Sequence, residues 1–428
     1  MILQRNIAPP VFSPQEFTYH LSQIETEHLD NQIPLYSLLD TIEPVVNFQM
    51  VFEAGIWYEQ KNAIAQTVAG LFKSGTTNLN SFQINDTIEQ YGASVQVNCN
   101  TDLATISVSC LTKHFSKLLP IVFSLITDTQ FYQNELDIFI QNAKQRLSVQ
   151  LLKTDFVANR KIDEFMFGFQ HPYGKYYHAS DYDQITSEDL KSYLKKQYHF
   201  SNCKMFLAGM FSEDDKKQIH QIFGSSNWNS NPTPYQPTHT LSPAQQKQIR
   251  IKHENPSVQG SVRLSSMFVE KTHPDFVPMV ILNTLFGGFF GSRLMSNIRE
   301  EKGYTYGIHS MILSQRHASA LLISTEAGID VCELAIKEVY KEMEILQNEL
   351  VSIEELDLVK NYLLGSILAE INGTFQIMQR WKGLILNGFD ENRFYSNIEI
   401  YKSITPETIQ NLAKKYFQKD AFYELVVS

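Results

Sequence analysis

An arginine and a tyrosine in the second half of the chain are the side chains best suited to recognise a carboxylate or a carbonyl group. Arg299 lies in the last turn of a predicted short helix, and Tyr306 follows at the start of a predicted strand. A planar guanidinium beside a phenol offers several hydrogen-bond donors to such a group. The alternative is structural, because an arginine near a helix C-terminus interacts favourably with the helix dipole and tyrosine is common in strands.

Glycines precede this pair. Gly287, Gly288 and Gly291 predict a loop in which the backbone takes positive φ or lets another segment approach closely. The helix that follows is predicted to begin at Ser292, its N-cap, and to stop at Gly303. We therefore interpret Gly287 and Gly288 as part of the same binding site as the arginine and the tyrosine, pending the structural context that any short motif requires.

Composition and charge exclude several classes of protein. The chain has 428 residues, of which 43% are hydrophobic and 12% aromatic, enough for well-packed domains. A net charge of -10, from 46 acidic and 36 basic residues, argues against nucleic acid and anionic membranes as partners. Neither a signal peptide nor an apolar run long enough to span a membrane is predicted. The four cysteines show no C-x-x-C spacing, so we expect the cytoplasm.

One succession of elements occurs twice along the chain. Hydrophobic periodicity predicts a strand, a helix, a hairpin and a long helix in the first half, at residues 46–53, 64–72, 95–110 and 135–152. The same order returns in the second half, at residues 262–268, 276–285, 306–325 and 331–346. A short echo supports the repeat, because Glu135-Leu136-Asp137 recurs as Glu355-Leu356-Asp357. A repeat of this size indicates duplicated domains rather than a solenoid.

A segment rich in proline, serine, asparagine and threonine separates the two copies. Its composition is that of an extended linker with little capacity to form a core. We therefore predict an N-terminal domain at residues 1–224, a linker at 225–247 and a C-terminal domain at 248–428. The predicted fold class is α+β, with two domains of similar fold.

Several stretches together resemble the pitrilysin and insulinase family of zinc peptidases. They are the duplicated layout, the F-K-S-G-T run at residues 72–76, the Tyr91-Gly92 step into a hairpin, and residues 292–306. The resemblance covers about residues 30–428 and places the family's arginine and tyrosine at Arg299 and Tyr306. It implies two homologous α/β/α domains, each a mostly antiparallel sheet covered by helices, that pair with a second such chain to form a clam-like chamber.

The zinc motif of that family is missing at the aligned positions. The family's H-x-x-E-H helix aligns here with Gln66 and Gly70 at the two histidines and with Ala69 at the glutamate. A catalytic zinc needs three N, O or S ligands plus a water, and the glutamate acts as general base. The family's third ligand is a glutamate on the helix matching residues 135–152, yet residues 138–154 contain no Asp or Glu. No catalytic residue and no metal are therefore expected in this chain.

Two functions are compatible with this pattern. The first is a non-catalytic subunit of a two-chain zinc metallopeptidase, in which Arg299 and Tyr306 bind the substrate peptide while a homologous H-x-x-E-H chain supplies the zinc. The chain would then be inactive alone and form a heterodimer. The second is an inactive structural or assembly protein of the same fold, which could pair with itself as a homodimer. Another enzymatic chemistry is disfavoured, since no G-x-S-x-G or P-loop motif occurs.

Overall fold

The computed structural model describes residues 13–230, 235–254 and 258–428. Its strands are β1 (Glu25–His28), β2 (Pro34–Leu39), β3 (Val45–Phe52), β4 (Ser94–Cys99), β5 (Ala104–Leu111), β6 (Cys203–Gly209), β7 (Gln248–Ile251), β8 (Gln259–Phe268), β9 (Thr305–Ser314), β10 (Ser319–Gly328) and β11 (Tyr423–Val427).

The α-helices of the described residues lie singly or in runs between these strands. They are α1 (Ile64–Gly70), α2 (Ser81–Gln90), α3 (Thr112–Asp128), α4 (Gln133–Gln150), α5 (Thr154–Phe167), α6 (Ala179–Tyr182), α7 (Ser187–Gln197), α8 (Glu213–Ile219), α9 (Phe276–Asn283), α10 (Cys332–Asn348), α11 (Ile353–Glu370), α12 (Thr374–Leu386), α13 (Glu391–Ser403) and α14 (Pro406–Tyr416). Within the described ranges, none of them has both the length and the apolar composition needed to cross a membrane.

Six strands form the first sheet, in the order β1-β2-β6-β3-β5-β4. All neighbours in this sheet pair antiparallel except β2 and β6, which are parallel. Side chains alternate regularly between buried and half-buried along most of β5, as a strand with one face on the core requires. The register pairs Phe48 with Val108, and both side chains are fully buried.

The second sheet repeats the strand order of the first. Its order is β7-β11-β8-β10-β9, which equals β2-β6-β3-β5-β4 when each strand is replaced by its counterpart in chain order. The repeat extends to orientation, because β11 runs parallel to β7 and antiparallel to β8, as β6 does to β2 and β3. The predicted fold class, α+β with two homologous helix-covered sheets related by duplication, is confirmed.

The chain divides into two compact units that do not follow simple chain order. The first unit comprises the described residues of 23–267, 324–332 and 422–428, and the second comprises 13–22, 268–323 and 333–421. The predicted boundaries at 1–224, 225–247 and 248–428 stay a prediction. Within the predicted linker, residues 225–230 and 235–247 form neither helix nor strand, and 231–234 lie outside the described residues.

Candidate functional site

The positions aligned with the zinc motif line a cavity of about 440 Å³ in the first unit. Gln66, Ala69 and Gly70 border it from α1, as the sequence alignment implies. The opposite wall is α4, the helix predicted to match the one that carries the family's third zinc ligand, with Phe139, Ala143, Arg146, Leu147 and Gln150. The structure therefore brings together the two helices that would have to share a metal ion.

An aromatic ring occupies the space beside Gly70. A Cβ atom built on Gly70 would lie 2.3 Å from Cε2 of Phe139, closer than real side chains approach. Only glycine lets α1 lie this close to the ring. This contact explains why the helix tolerates a glycine, which costs about 1 kcal/mol relative to alanine. A histidine at the same position would require the Phe139 ring to move.

The remaining side chains at this cavity are poor metal ligands. Its polar lining consists of Gln66, Asn98, Cys99, Arg146, Gln150 and Tyr182, without a histidine or a carboxylate. Burial, reinforced by the nearby Glu59 carboxylate, raises the pKa of the Cys99 thiol to about 12, so it remains protonated at neutral pH. Across the part of the chain that the structure describes, no group of three or more His, Cys, Asp or Glu side chains is placed to hold a metal.

A buried carboxylate fixes the start of α1. The Glu59 side chain has no exposed surface, and it accepts a hydrogen bond of 2.9 Å from the backbone N–H of Ala65. Lys175 Nζ lies 2.9 Å from Glu59 Oε2, and the Tyr177 hydroxyl donates at 2.8 Å. Because Ala63, the residue before α1, has a positive φ and no capping side chain, Glu59 serves as the cap. Burial raises the pKa of the Glu59 carboxyl, and Lys175 opposes that rise.

The segment that carries Arg299 is a π-helix over most of its length. The π-helical turns run over Met295–Glu301, and the Lys302 N–H donates to the Asn297 carbonyl, five residues back. Ser292 directly precedes the helix as predicted, and its carbonyl accepts from the Ser296 N–H at 3.0 Å, but its buried hydroxyl has no hydrogen-bond partner among the described residues and makes no capping bond. The predicted stop is confirmed, since Gly303 has a φ of 66°. Segments of this kind are rare and occur frequently at functional sites.

The predicted glycine loop is wrong at its first two residues. Gly287 and Gly288 belong to a π-helical extension of α9 over Thr284–Gly288, and neither has a positive φ. Gly287 is required for close approach instead, because a Cβ there would lie 2.7 Å from Cβ of Ser310 on β9. Gly288 is exposed. A binding role for either glycine stays a prediction.

Partly buried polar contacts hold the Arg299 segment against two helices. Arg293 makes a bidentate pair with Glu355 on α11, at 2.7 and 2.8 Å. The Asn297 amide donates to the carboxylates of Glu338 and Glu342 on α10, at 3.0 and 2.7 Å. Charge-assisted bonds with this geometry restrict both position and orientation. The segment is therefore a fixed support for whatever Arg299 contacts.

Arg299 and Tyr306 themselves are left available for a ligand. The Arg299 guanidinium stacks 4.6 Å from the centroid of Phe290 and lies 3.8 Å from a carboxylate oxygen of Glu300. No described residue accepts a hydrogen bond from this guanidinium, and its side chain is 34% exposed. Tyr306 is 90% exposed and does not bond to Arg299. Both donor groups can therefore reach an external acceptor without breaking an internal hydrogen bond.

Comparison with known proteins assigns both halves of the chain to one family. Residues 37–171 match the domain described as Insulinase (Peptidase family M16), and residues 184–363 match the Peptidase M16 inactive domain. The chain belongs to the pitrilysin and insulinase family, M16, and its second half matches the domain that this family's description calls inactive.

Similar proteins include both a named protease and a named non-peptidase homologue. The uncharacterised zinc protease YmxG of Bacillus subtilis is 20% identical, over 85% of this chain and 88% of its own. The non-peptidase homologue YmxG of Helicobacter pylori is 21% identical, over 83% of this chain and 84% of its own. A crystal structure of a peptidase M16 inactive domain from Pseudomonas fluorescens has a TM-score of 0.84 at 20% identity, covering 95% and 98% of the two chains.

Proposed function

We propose that this chain is the substrate-binding subunit of a two-chain zinc metallopeptidase that acts on peptides. The observation that carries the proposal is the state of Arg299, a stacked and anchored guanidinium without an internal hydrogen-bond acceptor. An arginine that stabilises the fold through hydrogen bonds needs an acceptor within the fold, and Arg299 has none among the described residues. The proposal also rests on the family relationship, and fold alone does not decide function.

In the proposed complex, this chain binds and orients, and the chemistry belongs to the partner. Arg299 and Tyr306 donate hydrogen bonds to a carboxylate or a backbone carbonyl of the peptide. Stacking on Phe290 holds the guanidinium plane before the peptide arrives, which lowers the entropy cost of binding. The peptide is thereby oriented toward the zinc of a homologous H-x-x-E-H chain.

We further propose that this complex operates in the cytoplasm. All four cysteines are free thiols, and Cys110, Cys203 and Cys332 are buried. Buried, unpaired thiols are typical of proteins that fold in a reducing compartment.

Purified on its own, the chain is expected to hold no stoichiometric zinc and to cleave no peptides. The reason is that Gln66, Ala69 and Gly70 offer neither the ligand set nor the general base that zinc hydrolysis requires. Elemental analysis after dialysis and a fluorogenic peptide assay measure both quantities. About one zinc per chain that survives dialysis and disappears with a histidine substitution would show that the motif alignment is wrong.

Co-expressed with an H-x-x-E-H homologue from the same genome, the chain is expected to form a heterodimer. A chamber built from two such chains should bury well over about 1,000 Å² of surface, enough for a complex that survives chromatography. Size-exclusion chromatography with light scattering gives the mass of the complex. A homodimer that excludes the homologue would favour the structural or assembly function, and a chain that stays monomeric with every such homologue contradicts the two-chain proposal.

A further inference from the structure

A larger cavity, of about 590 Å³, lies entirely within the second unit. Its walls come from helices α9, α12 and α13 and from the end of α11. Neither Arg299 nor Tyr306 lines it. Its volume is in the range of pockets that bind small organic molecules. Much of its wall is apolar, with Phe276, Val280, Phe375, Leu384, Phe389 and Phe394.

The charged residues at this cavity are mostly cations. Lys271, Arg380 and Arg393 line it, against the single carboxylate of Glu370. This excess of positive charge occurs in a chain whose net charge is -10. Apolar walls strengthen the local field of such cations, because they keep the dielectric constant low. The cavity is therefore suited to an anion with an apolar part.

One edge of the Arg380 guanidinium has no partner. Its Nη1 lies 3.0 Å from Glu370 Oε2, whereas its buried Nε makes no hydrogen bond with any described residue. An unsatisfied buried donor is unusual in a native protein and calls for a missing group. The Nε and Nη2 edge of an arginine matches the two oxygens of a carboxylate. Glu370 thus holds Nη1, and the Phe394 ring lies 5.2 Å from the guanidinium. The unsatisfied Nε is itself inaccessible to solvent, so a ligand oxygen reaches it through a small rotation of the Arg380 side chain.

Two further groups would help to hold a carboxylate. The Arg393 guanidinium stacks 5.0 Å from the centroid of Phe389 and donates to the Lys271 carbonyl, without a carboxylate partner among the described residues. Burial raises the pKa of the Tyr401 phenol, so its hydroxyl remains a donor at neutral pH. Tyr401 lines the same cavity as Arg380, Arg393 and Glu370.

We propose that this cavity binds an organic carboxylate with an apolar body. The carboxylate lies at the free edge of Arg380, near Arg393, and the apolar body packs among the phenylalanine rings. Two sources share this chemistry: a free acid such as a medium-chain fatty acid or an arylalkanoic acid, and the C-terminal residue of a peptide with a large apolar side chain. The site does not depend on the proposed role of Arg299.

Gly383 offers a matched pair of variants for testing this site. It lies inside α12 and lines the cavity, and a Cβ built on it meets no atom within 4 Å. Gly383→Leu therefore adds a bulky side chain at the wall of the cavity, at an exposed position where the Cβ atom itself meets no neighbour. Gly383→Ala adds one methyl group and is the control. Both replace a helix-interior glycine, so thermal stability should be equal or higher.

Isothermal titration calorimetry of the full chain with four probes tests the proposal. The probes are dodecanoate, 4-phenylbutyrate, the peptide acetyl-Gly-Gly-Phe with a free carboxylate, and its C-terminal amide. We expect at least one carboxylate to bind, Gly383→Ala to retain binding, and Gly383→Leu and Arg380→Gln each to weaken it at least tenfold. If the peptide acid binds and its amide does not, the ligand is a peptide C-terminus. If only dodecanoate or 4-phenylbutyrate binds, the ligand is a small free acid.

Three results would overturn the proposal. The first is the absence of binding by all three carboxylates. The second is binding that Gly383→Leu leaves unchanged, which would place the ligand elsewhere on the chain. The third is equal binding of the peptide acid and its amide with no effect of Arg380→Gln, which would mean that apolar contact alone is responsible. Even if Arg380→Gln loses stability, Gly383→Leu should remain folded. The comparison of Gly383→Leu with Gly383→Ala therefore tests the proposal by itself.

Discussion

Arg299→Ala is expected to lower kcat/KM of the reconstituted two-chain complex about 10-fold to 150-fold. The substitution removes a charge-assisted hydrogen bond to the peptide, worth about 1.5 to 3 kcal/mol, and each 1.4 kcal/mol corresponds to about tenfold. Tyr306→Phe removes only a hydroxyl and should cost less. Because both residues would bind the same substrate group, kcat/KM of the double variant should fall by less than the product of the two single decreases. Steady-state kinetics on a fluorogenic peptide measures all three.

The control for this experiment is a neighbouring cation. Lys302 follows the same π-helical segment and pairs at the surface with Glu301, at 3.0 Å. Lys302→Ala should leave kcat/KM and the melting temperature nearly unchanged, since exposed pairs contribute little. If Arg299→Ala instead lowers the melting temperature or prevents dimer formation while kcat/KM of the surviving complex is retained, Arg299 is structural. The assembly function would then be the better explanation of this chain.

Lys175→Met is expected to lower the free energy of unfolding by about 3 to 5 kcal/mol at neutral pH. It removes the cation that compensates Glu59, whose side chain has no exposed surface, and leaves a buried charge unpaired. Because Glu59 also caps α1, the helix start should loosen with it. Urea unfolding followed by circular dichroism gives the value, and a change in the slope would indicate a partly unfolded native state.

The pH dependence of this effect has a definite sign. Burial raises the pKa of Glu59, so the folded protein keeps this proton to a higher pH than the unfolded chain does. Glu59 therefore contributes stability below its unfolded pKa of about 4.3, and this contribution is lost as pH rises through the folded pKa. Removing Lys175 raises the folded pKa further. The difference in stability between variant and wild type should consequently be smaller at about pH 5 than at about pH 7.

Lys144→Met is the matched control for the buried pair. Lys144 pairs with Asp183 at 2.7 Å, but the two side chains are 35% and 57% exposed. Solvent screens such a pair, so the substitution should change the free energy of unfolding by less than about 1 kcal/mol, without the pH trend. Equal losses for Lys144→Met and Lys175→Met would mean that Glu59 is not held as a buried charge.

Local patterns were sufficient to predict much of the fold. The apolar alternation around Phe48 predicted β3, and the helical spacing of α4 placed it within two residues of its observed ends. Gly303 takes the positive φ that its position after a helix indicated. The order of elements in the two halves predicted the duplication, which the strand orders of the two sheets bear out. These features depend on neighbours close in sequence, where backbone sterics and side-chain period dominate.

Features that depend on distant residues were not predicted. The hydrophobic spacing of residues 295–301 fits an α-helix as well as a π-helix, so the wider turn had no sequence signal. Glu59 lies between elements, and its partner Tyr177 is 118 positions away. The same holds for the charged cavity of the second unit, whose walls come from four helices. Packing of this kind follows from the tertiary fold and produces no periodic pattern in the sequence.

The contact between Gly70 and Phe139 makes the loss of the metal site difficult to reverse by single mutations. A histidine that returns first at position 70 meets the aromatic ring, which lies 2.3 Å from the Cβ position. A smaller residue that replaces Phe139 first removes a partly buried ring that packs against the core, which is also destabilising. Either order passes through a destabilised intermediate that gains no catalysis, because several other ligands are still missing. Selection would therefore remove the early steps of such a reversion.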